Sequence, residues 1–211
     1  DEYPYDFSHH DQSILFGAAR MDAPANRQFP SEALQELYEV PSAGGRSRQI
    51  LTTPAEDARQ SRDGRYIIYH DRKARESPWR KHQVSSVARD IWIYDERSGA
   101  HRQLSHFAGE DRNPVFSNNG QDLYYLSERS GSFNVYQLSL NDTAMSKQLS
   151  FFKDHPVRFL SISRDNTICF GYDGQVWIKK KNAEAHKVSI HVTSVPRQQL
   201  TTVRAIDVEE M

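Results

Sequence analysis

The sequence predicts an all-β protein: a β-propeller of four-stranded blades, with about four blades present as part of a larger ring. Short apolar runs alternate with turns along the chain, and this order recurs roughly every 50 residues, a period that repeat architectures produce. The runs are rich in β-branched and aromatic residues, which excludes solenoids of helical pairs. With 37% hydrophobic residues in 211 positions, the chain can bury one sizeable core.

The clearest unit is residues 113–138, where three apolar runs follow one another with turns between them. The Asn-Asn-Gly sequence at 118–120 supplies the positive-φ residues that a tight hairpin needs. The Ser-Gly-Ser sequence at 130–132 does the same for the next connection. This order predicts a meander of short antiparallel strands.

Three further copies of this unit are present. Gly64 marks the equivalent turn in the second copy, Asn166 in the fourth, and Gln12 in a fainter first copy. Each copy closes on one more short run, at residues 50–52, 103–105, 148–150 and 187–192. Within a partial propeller domain covering 1–211, we therefore predict blades at approximately 1–53, 54–105, 106–150 and 151–192, and residues 193–211 start a further blade or form a tail.

Two insertions interrupt the repeats. The first, at 20–36, contains Ser31, which we expect to cap one short helical turn. The second, at 71–89, holds six basic residues against two acids. It is the one strongly cationic segment of a chain whose net charge is −1.

Several segments resemble the amino-terminal propeller of bacterial tricorn-type serine proteases, which contains repeats of the TolB type. They include 37–41, 79–82, 89–95, 109–116, 125–134 and 156–160, and the likeness spans roughly residues 1–192. The resemblance implies a large serine peptidase in which propellers precede a PDZ-like module and a carboxyl-terminal catalytic domain. It further implies that the propeller admits or filters peptides, and it favours an exported or periplasmic location over a cytoplasmic one.

No catalytic residue is expected in the chain itself. A serine nucleophile needs a sharp turn and oxyanion donors, and the sequence has no Gly-x-Ser-x-Gly elbow. Ser85 and Ser86 near His82 are interpreted as a polar loop. No metal or other cofactor is expected either, because His9-His10-Asp11 is more typical of a solvated turn than of a ligand set and Cys169 is the only cysteine.

Acidic residues beside arginines occur at 110–112 and 128–129. Paired carboxylates of this kind perform acid/base catalysis in glycosidases, so a carbohydrate-active propeller is one alternative function. Salt bridges that fix neighbouring blades are the interpretation that we favour.

The basic insertion is the best candidate binding site. Its cationic side chains can bind carboxylates, so we predict that it holds an acidic peptide or a peptide carboxyl terminus. The residues are Arg72, Lys73, Arg75, Arg80, Lys81 and His82. The alternatives are a solvated loop or a contact with the rest of the parent protein.

The balanced charge argues against nucleic acid or a membrane surface as a partner, since both attract a cationic field. No apolar run reaches the roughly 18 residues of a membrane span. The expected partners are peptides or unfolded protein segments, the remaining domains of the parent protease and, through exposed blade faces, a second copy of the chain. A free-standing TolB-like propeller that binds a protein partner is the other alternative function.

Overall fold

The structure is a computed structural model that describes residues 2–20, 34–74, 80, 82 and 84–193. Within these ranges the chain forms four antiparallel four-stranded sheets and no α-helix, with one turn of 3-10 helix at His9–Asp11. The prediction of an all-β propeller with about four four-stranded blades present is therefore confirmed. The helical turn predicted at Ser31 and all but the first residue of the further blade or tail predicted at 193–211 lie outside the described residues.

Each blade is one sheet whose strands follow chain order, starting with the strand nearest the axis. The strands of the first blade are β1 (Glu2–Phe7), β2 (Ser13–Ala18), β3 (Glu36–Pro41) and β4 (Arg48–Leu51). Those of the second are β5 (Ala55–Gln60), β6 (Tyr66–Asp71), β7 (Ile91–Asp95) and β8 (Ala100–Gln103). The third contains β9 (Asp111–Phe116), β10 (Asp122–Ser127), β11 (Asn134–Ser139) and β12 (Ser146–Gln148). The fourth contains β13 (Arg158–Ile162), β14 (Ile168–Tyr172), β15 (Gln175–Lys179) and β16 (His186–Lys187).

A serine organises the first hairpin of every blade. Its hydroxyl accepts the N–H of a residue at or just before the second strand, at 2.8 to 3.1 Å. Its own backbone N–H donates to the carbonyl of that same residue. The four serines are Ser8, Ser61, Ser117 and Ser163. In each hairpin the serine thus satisfies a backbone N–H and a carbonyl group within the turn, as short polar residues in turns commonly do.

The left-handed residue of this turn corrects one prediction. Gly64, Gly120 and Asn166 have φ values of 71°, 67° and 61°, as their assignment to one turn position requires. In the first blade the residue three positions after the turn serine is Asp11, whose φ is 56°, beside His10 at 64°, whereas Gln12 has a φ of −84°. The choice of Gln12 was therefore wrong by one residue, because aspartate tolerates the left-handed region without being glycine.

The short runs that close the second and third copies have a common role. The Ser105 hydroxyl accepts the N–H of Ile91 at 2.9 Å, and the Ser150 hydroxyl accepts that of Val135 at 2.8 Å. In each case the glutamine two residues earlier donates its side-chain amide to the carbonyl of the serine. The serine that follows the outer strand therefore connects it by a hydrogen bond to the start of the third strand.

Apolar side chains fill the seam between each pair of successive blades. Leu15 and Leu37 of the first blade join Ile67 and Tyr69 of the second in one buried cluster. The next two clusters pack the second blade on the third, through Ile68, Ile93, Leu123 and Tyr125, and the third on the fourth, through Val135, Leu126, Ile168 and Phe170. Among the described residues, no packing of comparable extent joins the strands of the first and fourth blades.

The inner strands surround a common axis, since Asp6, Gln60, Val115 and Ser161 of the four strands line one cavity. Both insertions connect a second strand to a third, whereas the same connection is only Asp173-Gly174 in the fourth blade. Because neighbouring strands are antiparallel, these connections emerge at the end where the inner strands begin. We call that end the insertion rim and the opposite end, which carries the serine turns, the serine rim. No helix of the described residues is long and apolar enough to span a membrane.

Candidate peptide-binding surface

The first basic side chains of the insertion are held in ion pairs. Arg72 follows β6 directly, and its Nη1 lies 2.6 Å from Oε1 of Glu56 on the neighbouring inner strand. Lys73 Nζ lies 2.6 Å from both Oδ2 of Asp90 and the carbonyl oxygen of Ala88. These two cations therefore fasten the base of the insertion to its own blade.

The far part of the insertion reaches the third blade. The backbone N–H of His82 donates to Oε2 of Glu128 at 2.7 Å, and the His82 side chain is exposed. Arg80 is exposed as well. Arg75 and Lys81 lie outside the described residues. The structure thus places Arg72, Lys73, Arg80 and His82 along the insertion rim, with different degrees of exposure.

A buried ionic network lies beneath the insertion, where the second and third blades meet. Arg89 is 5% exposed, and its Nη1 lies 2.7 Å from Oε1 of Glu110. Arg112 reaches the same oxygen at 3.6 Å. A buried charge is costly without a partner. The contacts with Glu110 therefore compensate for the burial of Arg89 and Arg112 in the seam between the blades.

Glu56 connects this network to the insertion. Its Oε2 lies 3.4 Å from Nε2 of His70 and 3.7 Å from Nε of Arg89, while its other oxygen holds Arg72. Burial opposes its ionisation, but the hydrogen bond to His70 and the positive charges of His70, Arg72 and Arg89 together lower the pKa of Glu56 to about 2. Glu56 is therefore an ionised structural anchor at neutral pH.

At Asp111, burial outweighs the effect of the neighbouring positive charge on the pKa. The residue is completely buried, and Oδ2 lies 3.0 Å from Nη2 of Arg129. Burial raises the pKa of Asp111 to about 6, against the lowering effect of Arg129 and of hydrogen bonds from Ser127 and Ser105. Arg129 also lies 5.0 Å above the ring of Tyr136, so its charge is shared between a carboxylate and an aromatic face.

The acids considered for acid/base catalysis are engaged in structural contacts. Glu110 binds Arg89, Asp111 binds Arg129, and Glu128 accepts the backbone N–H groups of His82 and Glu110. This arrangement agrees with the salt-bridge interpretation of these acids and gives the sugar-cleaving alternative no support. Among the described residues, no group of three or more metal-binding side chains is assembled.

A feature that the sequence did not reveal lies on the inner strands. β5, β9 and β13 each carry a β-bulge that begins at the second or third residue of the strand. Within each bulge one residue that is not glycine has positive φ: Asp57 at 49°, Asn113 at 54° and Phe159 at 57°. The Asn-Pro sequence at 113–114 was a turn signal inside an apolar run, but Asp57 and Phe159 carried no such signal.

The three bulges meet in one cavity of about 520 Å³. Asp57, Asn113 and Phe159 line it together with Arg59, Arg112 and Arg158 of the same three inner strands. The cavity adjoins the ionic network, since Glu56 and Asp57 are neighbours and Arg112 belongs to both. The insertion and the cavity therefore share one end of the propeller.

The family model for the tricorn protease N-terminal β-propeller domain matches residues 2–185. The chain belongs to this family. The match covers most of the sequence and confirms the resemblance seen in the individual segments. No curated protein sequence matches the chain.

The crystal structure of the tricorn protease resembles the tricorn-family propeller described above with a TM-score of 0.68 and 20% identity, over 92% of this chain and 18% of that one. A putative TolB from Agrobacterium tumefaciens has a TM-score of 0.64 and 17% identity, over 84% of this chain and 61% of that one. TolB from Acinetobacter baumannii has a TM-score of 0.65 and 14% identity, over 89% of this chain and 43% of that one. At these identities the likeness concerns the fold alone, and the chain spans less than two thirds of each of these proteins.

Proposed function

We propose that this tricorn-family propeller is a non-catalytic portion of a tricorn-like serine peptidase that binds peptide substrates and gates their access. The observation that supports this most directly is the match to the tricorn propeller family over residues 2–185. The basic insertion supports the binding role, because it lies at the same rim as a cavity lined by three guanidinium groups. The proposed partners are peptides or unfolded segments and the remaining domains of the parent enzyme.

The parent enzyme is tested by the reading frame that follows Met211. We expect it to encode a PDZ-like module and a catalytic serine domain. A reading frame that encodes neither would contradict the assignment to a peptidase. The purified chain should bind peptides without hydrolysing them, and hydrolysis that persists after Ser85→Ala and Ser86→Ala substitution would reveal a catalytic site elsewhere.

Peptide binding by the insertion is tested by calorimetric titration of short acidic peptides into the 211-residue chain. Combined Arg80→Glu and Lys81→Glu substitution should abolish binding, whereas Arg102→Glu on the exposed outer strand β8 should not. Affinity should fall as salt rises, since exposed charges are screened over about 8 Å at physiological ionic strength. Equal affinity for acidic peptides and for uncharged, amidated ones at high salt would exclude the insertion as a carboxylate site.

The second candidate is a free-standing propeller of the TolB type that binds a folded protein partner. It is supported by the similarity in fold to the two TolB structures, whose TM-scores of 0.64 and 0.65 approach that of the tricorn protease. A reading frame that completes the ring and then stops would favour this candidate over the peptidase.

A further inference from the structure

The cavity formed by the three inner-strand bulges has a cationic wall. Arg59, Arg112 and Arg158 come from three different blades, and all three line the cavity. Among the described residues that line the cavity, Asp57 is the one carboxylate, and its Oδ2 accepts a hydrogen bond from the Asn113 side chain. The described wall of the cavity therefore contains three arginines and a single acid.

The acids that form ion pairs with Arg59 and Arg112 do not line the cavity. Asp6 lies 3.4 Å from Nη1 of Arg59, and Glu110 lies 3.6 Å from Nη1 of Arg112. Neither acid belongs to the cavity wall. Guanidinium groups have five donors each, so an arginine that binds one carboxylate keeps donors for a second.

Arg112 packs against an aromatic ring and is largely removed from water. It is 6% exposed, and its guanidinium carbon lies 4.1 Å from the centre of the Phe133 ring. Burial, together with the charges of Arg158 and Arg89 and against the opposing effect of Glu110, lowers the pKa of Arg112 to about 10. A negative ligand would favour the charged guanidinium in this desolvated position, where ion pairs are also less screened than at the surface.

The rest of the wall is apolar. Phe159 is 78% exposed although it lies on an inner strand, and Pro114, Val115 and Leu160 line the cavity beside it. A small inorganic anion would leave this surface in water, whereas a carboxylate attached to a hydrocarbon segment would cover it. The cavity of about 520 Å³ is large enough for a side chain or a chain end of a peptide.

We propose that the bulges of the second, third and fourth blades form an axial site that binds a peptide carboxylate through Arg59, Arg112 and Arg158. The site is separate from the basic insertion, and it deepens the proposed function by assigning a ligand chemistry to the axis. The carboxylate is that of an acidic side chain or of a chain terminus, and both present the same planar pair of oxygens to a guanidinium group.

The test uses the complete 211-residue chain and three alanine-based peptides in calorimetric titrations. One peptide has a central glutamate and blocked ends, one has a free carboxyl terminus, and one is uncharged. We expect binding of at least one carboxylate peptide, and the two peptides distinguish side chain from terminus. Arg158→Gln should weaken that binding about tenfold or more, the effect of losing one charged hydrogen bond, whereas Arg102→Gln on β8 should leave it unchanged.

A variant that should strengthen binding distinguishes a specific effect from loss of folding. Asp57→Asn removes the acid from the wall while keeping a residue that tolerates positive φ, and it should tighten the binding of carboxylate peptides severalfold. Carboxylate binding that is unaffected by both Arg158→Gln and Asp57→Asn would overturn the axial site. So would equal binding of the uncharged peptide.

The two proposals fail in different ways. Succinate serves as a probe that needs no peptide recognition, and we expect its binding to depend on Arg158. If succinate binds in this way and no peptide does, the cavity is a carboxylate site, but its peptide ligand and the proposed peptide-binding function both fail. If peptides bind through Arg80 and Lys81 while neither succinate binding nor peptide binding depends on Arg158, the peptide-binding function stands and the axial site fails.

Discussion

The carboxylate of Glu128 accepts the backbone N–H of His82 at 2.7 Å, so the third blade holds the insertion that the second blade contributes. The same carboxylate accepts the N–H of Glu110 at 3.2 Å. One buried side chain thus fixes both a loop and the residue before β9. The position of the basic insertion is therefore set by a contact between blades and not by the insertion alone.

Replacing Glu128 with alanine should loosen the insertion. The two N–H groups lose a charged acceptor, so we expect faster amide exchange at His82 and a free energy of unfolding lower by roughly 1–3 kcal/mol. Hydrogen exchange and urea unfolding measure the two effects. Glu184→Ala removes an exposed acid of the fourth blade and should change neither quantity. Unaltered exchange at His82 in the Glu128 variant would show that other contacts hold the insertion.

The pKa of Glu56 predicts a stability that is lost in acid. The value of about 2 in the folded chain lies below the ordinary value of 4.5, so ionised Glu56 stabilises the fold above pH 4.5, and this contribution disappears as the pH falls from 4.5 towards 2. Glu56→Gln should therefore be less stable than the natural chain at pH 7, and the difference in urea midpoint should shrink on acidification. A difference that is constant between pH 7 and pH 3 would contradict this role.

Asp111 should give the opposite dependence. Its pKa of about 6 in the folded chain lies above the ordinary 3.8, so protonated Asp111 favours the fold below pH 3.8, and this contribution is lost as the pH rises through about 6. The stability of the natural chain relative to Asp111→Asn should therefore decrease between pH 4 and pH 7. Asp154→Asn, at an exposed position, is the matched control, and thermal unfolding across this pH range measures both.

The serine turns should contribute unequally. Ser61 and Ser117 are 5% exposed, whereas Ser163 is exposed. Alanine at Ser61 or Ser117 leaves a backbone N–H without its acceptor away from water, so each should cost about 1–2 kcal/mol, and alanine at Ser163 should cost less because water replaces the hydroxyl. Chemical unfolding of the three variants measures the loss of stability at each position. Equal losses at all three positions would indicate that burial does not determine the effect.

The outward face of the fourth blade should promote self-association. Trp177 packs into the seam with the third blade, so Val176, its neighbour on β15, faces away and is 37% exposed. With Phe159 it leaves apolar surface against which no described blade packs. Sedimentation velocity should show concentration-dependent association that Val176→Ser reduces, whereas Val84→Ser in the insertion should not. Sedimentation as a monomer at all concentrations would refute this prediction.

Local signals in the sequence predicted the strands and turns well. Gly64 and Gly120 identified their hairpins because glycine marks positive φ. Asn166 carried a weaker form of the same signal, and the equivalent Asp11 was missed in favour of Gln12. The repeated closing runs were interpreted as the fourth, outer strands, but β8 ends at Gln103 and β12 at Gln148, and the serines that follow instead accept hydrogen bonds from the third strand.

The candidate site was less accessible from sequence, because its contacts join residues far apart in the chain. Counting charges identified the basic insertion, but it did not reveal that Arg72 and Lys73 are held by Glu56 and Asp90. The axial cavity was missed for a different reason. Its shape depends on bulges at Asp57 and Phe159, whose residue types do not indicate a left-handed backbone.

The two rims of the propeller differ, and this gives the ring a direction. The serine rim repeats one self-contained turn, whereas the insertion rim carries the extra segments, the ionic network and the bulged inner strands. A lengthened loop on the insertion rim leaves the serine turns unaltered, so recognition can diversify there without disturbing how each blade closes. A molecule that approached the axis would therefore meet different chemical surroundings at the two rims.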